Sequence, residues 1–218
     1  MYLEIDNLTK TIKGTTVLDG VTLSLERGRV YGLRGKNGSG KTMLMRAITG
    51  LIRPTSGTVA IEGKIIGKDE SFPPSVGILL ENPAFVSKYT GFKNLQVLAD
   101  IQKNIGAEVI HETLQKVGLD PSDKRPYRKY SLGMKQRLGI ACAVMESPDL
   151  ILLDEPINAL DPTGVDLVKS IIMEHKKRGA LLLIACHDAQ ELDYLSDEVY
   201  YMAEGRITGH EVPGGDAL

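Results

Sequence analysis

The sequence predicts an α/β fold: a mostly parallel sheet with an N-terminal antiparallel β subdomain and an inserted α-helical subdomain. Three observations carry that prediction. Continuous apolar runs at 150–153 and 181–185 have the length of strands buried on both faces, and helical periods follow them. Short alternating runs broken by Gly, Asp and Pro turns fill the first third, a β pattern. Between Thr90 and Tyr130 the apolar spacing changes to three and four, which places a block of helices inside the sheet sequence.

In chain order, strands are expected at 2–8, 21–25, 30–33, 58–61 and 76–80. A helix at 41–49 separates the third from the fourth, stopped by Gly50 and by Pro54 shortly after. Helices at 92–101 and 108–117 and a further one opening at Ser131 make up the helical subdomain, 87–145. The remainder, 1–86 and 146–218, forms the core of a single domain. It ends with a strand at 150–153, a helix at 162–178, a strand at 181–185, a helix at 188–195 and a strand at 199–202.

Composition excludes several classes. Lys and Arg number 26 against 28 Asp and Glu, a net charge of −2, so no nucleic-acid partner is expected. No apolar run approaches the ~20 residues that span a bilayer, and Met1–Leu8 alternates without a basic or apolar leader region, so a cytosolic chain is expected. Cys142 and Cys186 sit among apolar residues and read as small buried hydrophobes rather than a disulfide framework. His111, His175 and His210 read as structural.

The strongest local signal is Gly35-Lys36-Asn37-Gly38-Ser39-Gly40-Lys41-Thr42. It follows a predicted strand and opens a predicted helix, the context in which GxxxxGK[ST] forms a P-loop. The glycines let backbone N–H groups converge on phosphate oxygens, Lys41 reaches the β/γ-phosphates, and the Thr42 hydroxyl ligates Mg²⁺. Such a loop needs a carboxylate for the metal at a strand end, and Leu150-Ile-Leu-Leu-Asp154-Glu155 supplies it. Asp154 is assigned to the Mg²⁺ side and Glu155 to an attacking water as general base. His187 leaves the next strand at the same sheet edge, within reach of a γ-phosphate.

A third motif, Tyr130-Ser-Leu-Gly-Met134-Lys-Gln-Arg137, opens a helix. Ser131 is a natural N-cap, but Gly133 in a first turn costs about 0.5–1 kcal/mol relative to alanine and requires a reason. In the order GKNGSGKT, YSLGMKQR, LILLDEP, Asp161 and His187, the chain resembles the nucleotide-binding subunit of ATP-binding cassette (ABC) transporters from end to end. The resemblance implies a P-loop NTPase core and an ATPase that dimerises head to tail, each ATP lying between one chain's P-loop and the other chain's signature helix.

Carried over by position, Ser131, Gly133 and Met134 face the partner's nucleotide, and Gly133 avoids obstructing it. Asp161 crosses the interface, Glu155 is the catalytic glutamate, His187 the switch histidine, and Glu81 the residue that touches Mg²⁺ ahead of the helical subdomain. A transmembrane permease subunit is implied as partner, docking near Glu81 to Phe92 and the helical subdomain, which would hold the chain on the inner face of the membrane.

Four departures from the family pattern stand out. Glu81 replaces a glutamine; Leu132 and Met134 replace a glycine and a glutamine of the signature; Ile12 and Val17 stand in for an adenine-stacking ring; and Arg34 and Lys36 make the loop basic. The signature and the ENPAF setting of Glu81 resemble the bacterial drug and bacteriocin export or immunity branch. Competing readings are a soluble ABC ATPase acting on nucleic acid or ribosomes, against which no heptads, CxxC pairs or second P-loop occur, and a nucleotide-gated module with little turnover, against which Glu155 and His187 stand.

Overall fold

The computed structural model describes residues 1–81, 83–186 and 189–213. Its elements in chain order are β1 (Leu3–Ile12), β2 (Thr15–Leu25), β3 (Val30–Arg34), α1 (Lys41–Ile48), β4 (Ser56–Ile61), β5 (Lys64–Ile65), β6 (Val76–Leu79), α2 (Gly91–Gln102), α3 (Ala107–Lys116), α4 (Leu132–Val144), β7 (Leu150–Asp154), α5 (Pro162–Lys177), β8 (Leu181–Ala185), α6 (Ala189–Leu195), β9 (Glu198–Ala203) and β10 (Arg206–Glu211). They form two sheets. A four-stranded antiparallel sheet has the order β2-β1-β4-β5, and a six-stranded sheet has the order β10-β9-β3-β8-β7-β6. In the larger sheet every pairing from β9 to β6 is parallel, and β10 alone runs antiparallel.

The apolar runs of β7 and β8 explain why the large sheet lies inside the protein. Every residue of both strands is buried, and successive side chains enter different cores. Leu150, Leu152, Leu181 and Leu183 pack with the antiparallel sheet and α1, whereas Ile151, Leu153, Leu182 and Ile184 pack with residues of α2 to α5. A period of two that is apolar on both phases requires cover on both faces, and the two layers provide it.

The structure differs from the sequence expectations mainly at hairpins. β1 and β2 extend beyond the predicted 2–8 and 21–25 and meet at a tight turn where Lys13 and Gly14 both have positive φ, 48° and 84°. Their outer residues are mostly polar, with Val17 and the buried Leu18 adjacent rather than alternating, so no apolar face of period two marks them. β10 has no apolar signature either: it is an edge strand of alternately exposed and half-exposed residues that turns back at Glu204 and Gly205. Cys142 is a free thiol, and burial together with the nearby Glu146 pushes it up to about 11. None of the described helices is long and apolar enough to cross a membrane.

Candidate nucleotide site

The carboxyl edge of the large sheet carries the site. β3 ends at Arg34, residues 35–40 form the loop, and α1 opens at Lys41 with Gly40 at its N-cap in the left-handed region, φ 108°. No side chain caps α1, which leaves its first-turn N–H groups for an anion. Two of the glycines are required by packing as well. A Cβ on Gly35 would lie 2.3 Å from the Met202 carbonyl and 2.6 Å from Ser39 Oγ, and one on Gly40 would lie 3.0 Å from the Val17 carbonyl. The loop is therefore pressed against β9 and β2, and the Gly205 N–H donates to the Ser39 carbonyl at 2.9 Å to hold it there. Lys41 is buried, and its Nζ donates to the Gly35 carbonyl at 2.6 Å and the Lys36 carbonyl at 3.3 Å. Its charge thus sits inside the loop's own curve. Arg34 points to other work: its guanidinium lies 3.6 Å from Asp193 and 3.8 Å from Glu211 and covers the Tyr201 ring.

Asp154, the last residue of β7, meets the loop although β8 lies between their strands: Thr42 Oγ1 donates to Asp154 Oδ2 at 2.5 Å. Burial pushes the Asp154 carboxyl above its ordinary range and the negative charge of Glu155 adds to this, while the Thr42 hydrogen bond opposes it. The donor set of Thr42 and Asp154, with Glu81 lining the same cleft, is all oxygen, which suits a hard cation such as Mg²⁺. Among the described residues no group of three or more His, Cys, Asp or Glu could hold a metal by itself. A Mg²⁺ ion here would therefore complete its shell with phosphate and water, its usual habit. Glu81 Oε1 accepts from Arg46 of α1 at 2.8 Å, which offsets the charge that replaces the family's glutamine.

These groups line an open cleft of about 660 Å³ that also takes in Thr15, Thr16, Val17, Gln136, Asn158, Glu204 and Gly205. Of the two residues assigned to the base, Val17 is in the cleft and Ile12 is not; the turn at Lys13 and Gly14 carries the chain on, so that 15–17 line the cleft instead. Sequence reasoning missed Thr15, Thr16, Glu204 and Gly205, for which the only available signals were the Lys-Gly and Glu-Gly turn pairs. His187 lies outside the described residues.

The signature residues gather elsewhere. Ser131 caps α4, its Oγ accepting from the Met134 N–H at 3.2 Å, and Met134 is half-buried against the core. Leu132 is 62% exposed. Two of these residues have close partners within their own chain. Gly133 has a reason within its own chain, since a Cβ there would lie 2.9 Å from the Ala159 carbonyl. Asp161, expected to reach across an interface, caps α5 by accepting from the Gly164 N–H at 3.1 Å and pairs with Arg137 of α4. Those two donors hold its carboxyl below the usual range.

Comparison with known proteins agrees with this geometry. The sequence profile of the family described as ABC transporter matches residues 18–158. The chain is 46% identical to the ABC transporter ATP-binding protein YybJ of Bacillus subtilis (strain 168), over 96% of each chain. It is 38% identical to the bacitracin transport ATP-binding protein BcrA of Enterococcus faecalis, over 94% of this chain and 67% of that one. With the lantibiotic transport ATP-binding protein SrtF of Streptococcus pyogenes it shares 37% identity over 94% and 88%. Among solved structures, an ATP-binding subunit of an ABC transporter superposes with a TM-score of 0.89 at 26% identity, over 97% of this chain and 90% of that one. A dimeric ATP-binding cassette bound to ADP and Pi shares the fold, with a TM-score of 0.88 at 21% identity over 98% and 99%. With P-loop, carboxylate strand and signature helix in one sheet-and-helix frame, the chain belongs to the ABC transporter family, as one of its ATPase subunits.

Proposed function

We propose that the chain binds ATP with Mg²⁺ in the 660 Å³ cleft, pairs head to tail with a second ATPase subunit, and hydrolyses the ATP to drive a separate membrane permease. The contact between Thr42 and Asp154 carries this reading, because it brings the phosphate loop and the metal-side carboxylate together beside Glu155. The N–H groups of 38–42 bind the β- and γ-phosphates, and Lys41 turns from the Gly35 and Lys36 carbonyls to the γ-phosphate oxygens. Thr42, Asp154 and Glu81 would hold the Mg²⁺, which would supply neutralisation of phosphate charge. Glu155 takes a proton from water as the water oxygen bonds to the γ-phosphorus. The bond from that phosphorus to the bridging oxygen breaks, and ADP and phosphate leave. Ser131 and the backbone at Gly133 close the site on the partner's γ-phosphate.

A second groove, of about 570 Å³, supports permease docking beside Glu81 and along the helical stretch 87–145. Leu51, Ile52, Pro83, Phe85, Val86 and Val97 line it, an apolar channel between the end of α1 and α2 that suits an apolar helix of a membrane partner. Through such a partner the chain would lie on the inner membrane face. The bacitracin and lantibiotic transport named for the relatives supports export of, or immunity to, peptide antibiotics as the cargo class. Glu155→Gln tests the assignment. Phosphate release should fall at least about 100-fold, and ATP should drive the variant into a dimer on size exclusion. Unchanged turnover would remove Glu155 from the base role, and a persistent monomer would count against the shared site.

A further inference from the structure

We propose that Gln136 is a positioning residue for Glu155, and that the first two turns of α4 splint the 155–161 loop so that the signature end of the helix and the general base of the same chain move together. The inference rests on the reading of Glu155 as that base.

The loop between β7 and α5 contains two non-glycine residues in the left-handed region, Glu155 at φ 51° and Ala159 at φ 62°. Side-chain-bearing residues hold that conformation only where their surroundings over-determine it. Each of the two is met by α4. The buried Gln136 amide donates to the Glu155 carbonyl at 2.8 Å and the Pro156 carbonyl at 3.2 Å. Gly133 lets the helix lie directly beneath the Ala159 carbonyl. A third tie follows on the next residue of the helix: Arg137 pairs with Asp161 and donates to the Gly118 carbonyl at 3.3 Å. On its other side Glu155 is fixed by its own N–H, which donates to the Ala185 carbonyl of β8 at 2.8 Å. Glu155 is therefore clamped between the sheet and α4, and Gln136 is the side of the clamp that belongs to the signature helix.

Position matters here as well as bonding. Gln136 itself lines the nucleotide cleft, about one and a half helical turns beyond the Ser131 cap. A shift of the α4 N-terminus, where a second chain's nucleotide would press, is transmitted through one side chain to the backbone of Glu155 in the first chain's own cleft. Each of the two shared sites would in this way set the geometry of the other.

Gln136→Met keeps the volume of the side chain and removes both N–H donors. In the full-length protein we expect kcat to fall about 10-fold or more, ATP affinity to stay within about 2-fold, and the ATP-driven dimer to persist, the pattern of a lost transition-state geometry. In a Glu155→Gln background the same change should leave the residual rate unaltered, because the base it positions is already gone. Should Gln136→Met not fold, Gly133→Ala, which pushes on the Ala159 carbonyl, is expected to lower kcat with monomer ATP affinity retained. An unchanged kcat in a folded variant, or an equal further loss in the Glu155→Gln background, would overturn the inference while leaving the ATPase reading intact. A wild-type protein whose turnover equals that of Glu155→Gln would overturn both.

Discussion

The two motifs that hold phosphate in this reading are built in opposite ways. The P-loop turns its polar groups inward onto one another: the Lys41 ammonium rests on the loop's own carbonyls and Thr42 on Asp154, all within the cleft that a nucleotide would fill. On the proposed function phosphate oxygens would replace the carbonyls at Lys41, and a metal ion would come between Thr42 and Asp154. The signature turn instead has its groups engaged by distant parts of the same chain, Gly133 against Ala159, Gln136 on Glu155, and Arg137 on Asp161. One half-site is preorganised toward ligand, and the other is wired to the catalytic loop behind it. On the proposed function a single chain carries a complete cradle and an incomplete lid, and the lid is attached to the loop that holds the proposed base.

That contrast can be broken from either side. Arg137→Ala removes the outermost tie of the signature side and should have the larger structural effect, since the arginine side chain is mostly buried and sits in a slot that Gly118 and Gly164 leave open. A fall in melting temperature of roughly 2–4 °C is expected, with nucleotide affinity at the P-loop retained; equal loss of affinity would mean that the two halves are not separable. Glu81→Gln perturbs the P-loop side and should do less. Glu81 is exposed and its pair with Arg46 is open to solvent, so loss of the pair should leave stability unchanged and shift the Mg²⁺ concentration for half-maximal turnover by no more than about 3-fold. A complete loss of turnover would give the carboxylate a role of its own.

What could be read in advance follows the same division. The P-loop is contiguous in sequence, and its glycines, lysine and threonine have fixed roles at fixed spacing, so cradle and carboxylate strand were legible from residues alone. The lid's wiring was not, because it joins positions that are distant in the chain: Gln136 and Glu155 are brought together only when α4 packs over β6 and β7. Gly133 illustrates the limit. Its presence in a first turn implies that something approaches closely, and only the folded chain shows that the Ala159 carbonyl does so from within. Ile12 is not among the cleft-lining residues for a related reason, since a two-residue turn just after it brings 15–17 to the cleft. Among the fold elements, buried strands announced themselves by composition, whereas the edge strand β10 and the outer part of the β1–β2 hairpin lack a run of alternating apolar residues.

The central claim is that the two half-sites of one chain belong to two different nucleotide sites, and mixing two disabled variants tests it most directly. Lys41→Ala removes the cradle, and Ser131→Arg obstructs the lid at an exposed residue whose hydrogen bonds go to Met134 and Lys135 and not to the 155–161 loop. Each protein alone is predicted to show turnover at least about 100-fold below wild type, but a mixed dimer contains one site in which an intact cradle meets an intact lid. Phosphate release should therefore reappear on mixing, to a substantial fraction of the wild-type rate. A mixture as inactive as its components, with dimers demonstrably formed, would contradict the account.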